Sequence, residues 1–219
     1  MINDEILNIT NGDYFNDYFL AKFGGTAIPF CEVMMDGETV TDIYSEQFIT
    51  LRSKELNVTE AEYRSKMQVY EAWHNENIPY SELHLWFGKD TFCQMNLLTL
   101  LAYLEQIGYG GKVILSYIND ETFAIMEENI PVKLGTYKAL YEKLFIEKLL
   151  PSDVGVLSHD AIELYFDYHS DEGALARMVR EHPDMDDLPL LCLLLRESGA
   201  YGLSDLQAKK LIQRNKLRS

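Results

Sequence analysis

The stretch from residue 83 to residue 118 constrains the fold more than any other part of the chain. Leu83-His84-Leu85-Trp86-Phe87 is a short apolar run closed by the turn Gly88-Lys89-Asp90, and it reads as a strand. Thr91 to Ile107 follows as a long apolar helix, ended by the glycine-rich segment 108–111, and Lys112 to Ile118 is a second β-rich run. Strand, helix and strand in so short a span make a βαβ crossover, which lays two strands parallel in a right-handed connection. The first 33 residues repeat this in shorter form. A strand over 5–10 is broken by Asn11-Gly12-Asp13, a helix from Tyr14 to Phe23 stops at Gly24-Gly25, and Thr26 to Val33 is a second strand. The expected fold is α/β: a small Rossmann-like three-layer domain with a mainly parallel sheet of four strands.

Between the two units lie the turn Asp36-Gly37 and two helices, near 45–56 and 60–76. The second opens on Thr59-x-x-Glu62, a capping box in which each side chain satisfies an orphan amide. After Pro131 the pattern is helical. Helices begin at Thr136, Ser158, Ser170 and Asp187, and Ser204-x-x-Gln207 is a capping box before the last one. The expected division is an α/β domain over residues 1–134 and an all-helical domain over 135–219 that ends in a basic helix.

Charge follows the same division. Lys209 to Ser219 hold five bases and no acids, whereas residues 1–208 hold 14 bases and 35 acids, a charge of −21. Such a body repels a phosphate backbone, so nucleic acid is confined to the terminal helix. The start of the chain is acidic and lacks the basic and apolar regions of a signal peptide. The longest apolar run, Leu188 to Leu195, is eight residues, and a bilayer span needs roughly 20. Cys31, Cys93 and Cys192 stand far apart and odd in number, which reads as free thiols in a reducing cytoplasm.

In a doubly wound sheet, ligands bind outside the carboxyl ends of the strands, where the strand order reverses. The turns Asn11-Gly12-Asp13 and Gly88-Lys89-Asp90 leave two such ends and face one crevice if the first and third strands are neighbours. Each carries an aspartate at a helix start, which opposes phosphate, and Gly12 stands without a G-x-G-x-x-G fingerprint. A hydroxylated or cationic ligand, or a magnesium ion bridging to phosphate, suits these residues better. Capping accounts for the same residues: Asp13 and Asp90 fit helix N-termini, and Thr91-x-x-Gln94 fits a capping box. Arg52, on a helix, either reaches the crevice or stands on the surface. The histidines show no metal-binding spacing, no G-x-S-x-G elbow is present, and Cys93 reads as packing within its helix. Leu188–Ser198 and Ser204–Leu217 suggest a helix-turn-helix whose second helix carries Lys209, Lys210, Arg214, Lys216 and Arg218. The alternative is a cationic helix paired with the acidic body.

The run from Leu85 to Leu98, with Trp86-Phe87, Asp90, Gln94 and Leu97-Leu98, resembles the W-F-x-x-D-x-x-x-Q-x-x-L-L signature of the bacterial "domain of unknown function 1835" family. Asn11-Gly12-Asp13 is similar to that family's opening motif, and Arg52 to its arginine after the second strand. Where the family tends to show E-G-P, this chain has Asp36-Gly37-Glu38. Gly202-Leu203-Ser204 through Gln207 resembles the family's helical partner domain. The resemblance implies a cytoplasmic bacterial protein of a kind often labelled a transcriptional regulator, and singles out Asp13, Arg52, Asp90 and Gln94. The leading expectation is a ligand-binding α/β module using Asn11, Gly12, Asp13, Arg52, Lys89, Asp90 and Gln94, with a regulatory or interaction role for the helices. Its rivals are a DNA-binding regulator using the last helix, and an enzyme for a phosphorylated or nucleotide-like substrate built on Asp13 or Asp90. The partners left open are a small molecule, nucleic acid at the terminal helix, and a second copy of the chain. The sequence names no cofactor.

Overall fold

The computed structural model describes residues 3–216, with side chains from Ile6 onward; Arg218 of the basic helix lies outside the described residues. Among the described residues a five-stranded sheet has the order β2-β1-β3-β4-β5. Its strands are β1 (Asn3–Asn11), β2 (Ala27–Phe30), β3 (Tyr80–Phe87), β4 (Lys112–Ile118) and β5 (Ile125–Val132). The first four are mutually parallel, and β5 adds antiparallel to β4. The α/β fold with a mainly parallel sheet is therefore present, enlarged by one edge strand.

That strand is absent from the sequence reading because Ile125 to Val132 carries two glutamates and a proline, and most of its residues are exposed. A single buried face at its end, Val132, gives almost no period-2 signal. Strand β2 is shorter than expected. Past Phe30 the chain turns inward, and the Glu32 and Val33 carbonyls accept side-chain hydrogen bonds from Asn96 and Arg52 instead of joining a ladder.

Side chains alternate across the sheet with period 2. Leu7 and Ile9, Leu83, Leu85 and Phe87, and Val113 and Leu115 point to one face and enter the main core. Trp86 and Ile118 point to the other, where they meet Phe15 and Phe19 of α1 (Asp13–Phe23). Trp86 also donates its indole N–H to Asn8 Oδ1 at 2.9 Å, so its one polar atom is paired.

The main face is covered by α2 (Glu46–Leu56), α3 (Glu60–Trp73) and α4 (Thr91–Gln106). Helix α4 is buried along almost its whole length, as expected of a helix apolar on every side. Each of its fully buried leucines contributes about 1.5–3 kcal/mol relative to exposure. The Thr59–Glu62 capping box forms as expected at α3.

The later chain is helical: α5 (Tyr137–Tyr141) running into a π-turn, α6 (His159–His169), α7 (Ala174–Glu181), α8 (Asp187–Glu197) and α9 (Asp205–Lys216). One hydrophobic cluster runs from Leu7 to Ile212, so residues on both sides of position 134 share a core. Among the described residues no helix is long and apolar enough to cross a membrane.

Candidate functional site

Strand order reverses between β1 and β3, because β1 leads through α1 to β2 on one side and β3 leads through α4 to β4 on the other. A cavity of about 410 Å³ opens at the carboxyl ends of these strands. Asn11 from the end of β1, Asp90 and Cys93 from the start of α4, and Asp120 and Glu121 from the β4–β5 turn line it. Its opposite wall is the α8–α9 connection, with Ser198, Gly199 and Gly202.

The turn at residues 119–124 explains why Asp120 reaches the crevice. Asn119 Oδ1 accepts from the amides of Glu121 and Thr122, which curls the backbone tightly and leaves Asp120 at its base. The Asp120 carboxylate then lies over Gly88: a β-carbon added there would stand 1.9 Å from Asp120 Oδ2. Gly202 gives Asp90 the same room, at 2.0 Å from Oδ1. One flank of Asp120 remains exposed, but its carboxyl end sits against Gly88 and Cys93.

A directional hydrogen-bond chain ends on the Cys93 sulfur. Asn96 accepts from the Met34 amide and donates to the Glu32 carbonyl, which sets which end of its amide is which. Its nitrogen therefore also donates to Asn11 Oδ1 at 3.0 Å, and Asn11 must present its own nitrogen to Cys93 Sγ at 2.8 Å. The sulfur accepts from Asn11 and donates its S–H to Asp120 Oδ1 at 3.3 Å. Asp90 is the N-cap of α4, with Oδ1 accepting the Cys93 amide at 3.0 Å, while its Oδ2 is enclosed without a hydrogen-bond partner. Burial, followed by the adjacent Asp90 carboxylate, pushes Asp120 up to about 8. Burial and the two carboxylates push the Cys93 thiol well above its ordinary value, which keeps it protonated.

The other residues singled out in the sequence lie elsewhere. Gly12 serves through its backbone, at φ +83° as the N-cap of α1. Asp13 is exposed and turns toward α3, where Lys66 lies at 2.6 Å and holds its carboxyl below the usual range. Asp13 and Asp90 thus serve different partners, and the carboxylate beside Asp90 is Asp120. Arg52 neither reaches the crevice nor stands on the surface. It is fully buried, donates to the Val33, Asp36 and Glu38 carbonyls, and pairs with the buried Glu32 at 3.7 Å. Lys89 pairs with Glu127 on β5 and lies 4.8 Å from the Tyr117 ring centre, beside a neighbouring cavity of about 490 Å³ that shares Asp90 and Asp120. Gln94 is buried, donating to the Gly88 carbonyl and accepting from the Ser158 amide. The capping frame expected at Thr91–Gln94 is shifted: Asp90 caps the helix, and the Thr91 hydroxyl donates to the Ala200 carbonyl. Of the seven residues, Asn11 and Asp90 line the crevice directly.

Cys93, Asp120 and Glu121 are the crevice residues the sequence reading did not select. A signal for Asp120 existed, since it follows β4 at the same sheet edge as the two turns that were selected.

The basic helix is engaged inward. Lys210 lies 3.7 Å from Asp36, Arg214 donates to the Tyr168 carbonyl, and Lys216 contacts the Met185 carbonyl and Asp187. Lys209 is exposed. The α8–α9 connection is likewise fixed, with Tyr201 donating to Asp167 at 2.7 Å. No family model, curated protein or solved structure matches the chain, so its function is argued from this geometry.

Proposed function

We propose that this chain is a small-ligand-binding α/β module whose crevice at the β1–β3 reversal receives a cationic group, with the helical segment as its regulatory or interaction part. The observation that carries this reading is the charge of the crevice. Three acids line it, Asp90, Asp120 and Glu121, of which Asp120 takes a full charge only when a cation displaces its proton, and no lysine or arginine among the described residues does. Carboxylates gathered in a recess with low-dielectric walls attract a cation and repel a phosphate or carboxylate ligand. A ligand there would touch the end of the sheet on one side and the α8–α9 connection on the other, which gives the helical segment a route to respond. Free thiols at Cys31, Cys93 and Cys192 accord with a reducing compartment.

The DNA-binding reading has less support. A phosphate-binding helix needs bases facing outward, and Arg214 and Lys216 are bonded to the protein's own carbonyls and Asp187, which leaves Lys209 and Lys210 as its exposed bases among the described residues.

A thermal-shift screen tests the proposal, with amines, amino sugars, divalent ions, nucleotides and organic acids offered to wild type and to Asp120→Asn. Amines or divalent ions should raise the melting temperature of wild type alone. Hits that shift both proteins equally, or hits confined to anions, would remove the crevice assignment.

A further inference from the structure

Resting on that reading of the crevice, we infer that its cation is a thiophilic divalent metal ion held by Asp90, Cys93 and Asp120, with the remaining position open to a water or a small ligand. The three side chains each offer one donor atom, and all three atoms lie within 4.8 Å of one another. Tetrahedral zinc, with metal–sulfur about 2.3 Å and metal–oxygen about 2.1 Å, places sulfur and oxygen donors about 3.6 Å apart. Cys93 Sγ and Asp120 Oδ1 stand at 3.3 Å, so small side-chain rotations bring the set into range.

Three further observations point to an ion in place of a plain acidic patch. Asp90 Oδ2 is enclosed and no N–H or hydroxyl reaches it; the adjacent Asp120 carboxyl can bond to Asp90 only while it carries a proton, and an ion would take that proton's place. Gly88 leaves room for the Asp120 carboxyl and Gly202 for that of Asp90, so a β-carbon at either position would displace one of the two oxygen donors. The Asn96–Asn11 chain aims an N–H at the sulfur, the contact that stabilises a metal-bound thiolate from outside the coordination shell.

The donor set selects the class of metal. A thiolate with two carboxylates favours zinc, cobalt(II) or iron(II) over magnesium or calcium, which take oxygen alone. Three protein ligands facing a 410 Å³ cavity leave an exchangeable position, unlike a closed four-ligand structural site. On binding, the Cys93 S–H bond breaks and Asp120 gives up the proton that it holds beside Asp90; both protons leave through the open crevice to solvent, and lone pairs on the sulfur and the carboxylate oxygen form the bonds to the metal. No electron is transferred to or from the ion.

The test uses the full chain, stripped with a chelator and titrated with Co²⁺, whose thiolate complexes absorb in the near ultraviolet by sulfur-to-metal charge transfer. One Co²⁺ per chain is expected, with that band present and with Zn²⁺ displacing it. Cys93→Ser should lose the band, whereas Cys31→Ser and Cys192→Ser should keep it. Asn11→Ala should weaken binding about 10–100-fold while the band persists. Circular dichroism of each metal-free variant checks folding. Asp120→Asn, in the turn after β4, provides a second disruption with little bearing on the core, and it should weaken Co²⁺ binding sharply. A band that survives Cys93→Ser, or Co²⁺ affinity unchanged in Asp120→Asn, overturns the site. If Co²⁺ does not bind but amines still stabilise wild type and not Asp120→Asn, the metal inference fails and the cationic crevice stands. If neither binds, both fail.

Discussion

Gln94 accepts a hydrogen bond from the Ser158 backbone amide at 3.0 Å, across 64 residues of chain. Its nitrogen donates to the Gly88 carbonyl at 2.6 Å, so one buried amide ties the turn after β3 to the start of α6. Replacement by alanine leaves the buried Gly88 carbonyl and the partly buried Ser158 amide without these partners. Gln94→Ala should therefore cost about 2–6 kcal/mol in urea denaturation, from two unmet groups at about 1–3 kcal/mol each. A loss under about 0.5 kcal/mol would show that this tie does not hold the two segments together.

Arg52 should prove structural. It is enclosed with Glu32, and Tyr63 also donates to that carboxylate. Burial pushes Glu32 up against the opposing pull of Arg52, so removing the guanidinium leaves a carboxyl that must take a proton or stay unpaired. Arg52→Ala should lose about 3–5 kcal/mol of stability, with the three freed carbonyls adding to the deficit. Ligand binding to whatever fraction remains folded should match wild type. A stable Arg52→Ala with impaired binding would return Arg52 to the site.

Gly88→Ala separates the crevice from the fold. The three atoms nearest the new methyl all belong to the Asp120 carboxyl group, the end of an exposed side chain that can rotate away. Stability should stay within about 1 kcal/mol of wild type, while affinity for the cation falls about tenfold or more. Gly202→Ala should do both kinds of harm, because its φ of +68° disfavours any side chain and the methyl would strike Asp90. Isothermal titration beside thermal melting distinguishes the two variants. Equal affinity for Gly88→Ala and wild type would place the ligand elsewhere.

Acidification should destabilise the protein through two histidines. Burial lowers His169, whose Nε2–H donates to the Met35 carbonyl, and burial also lowers His84, which shares a hydrogen bond with Ser116. Below the unfolded value of 6.5 the unfolded chain binds these protons and the folded chain resists them. Stability is thus full above 6.5 and falls as pH drops from there toward the lowered folded values. Urea midpoints at about pH 7 and about pH 5.5 should show this loss, and a smaller loss in His169→Asn. An identical pH slope in that variant would exclude His169 as a source.

The contrast between Asp90 and Arg52 shows how far residues reveal their roles before they are folded. Asp90 follows an apolar strand and precedes an apolar helix, so its position at the mouth of a βαβ unit is local information. Arg52 lies on a helix whose surroundings come from residues 32–38 and from α3, and nothing within its own turn distinguishes an exposed guanidinium from an enclosed one. Strand β5 escaped for a related reason. An edge strand with little buried surface is held by its ladder to β4, and its own side chains carry little pattern.

By itself the sequence determined two strand–helix–strand units, the helical segment after them, and the place of Asn11 and Asp90 at strand ends, because hydrophobic period and turn chemistry are local, whereas the pairing of β1 with β3 came with the sheet. Only the tertiary structure decided which polar groups face the crevice. It brought Asp120 from the end of β4 to Cys93, turned Asp13 to Lys66, and committed Gln94 and Arg52 to buried backbone groups. It also bound Arg214 and Lys216 of the last helix to the protein's own carbonyls and Asp187. The direction of a side chain depends on the partners that distant segments supply, and those partners exist only once the core has closed.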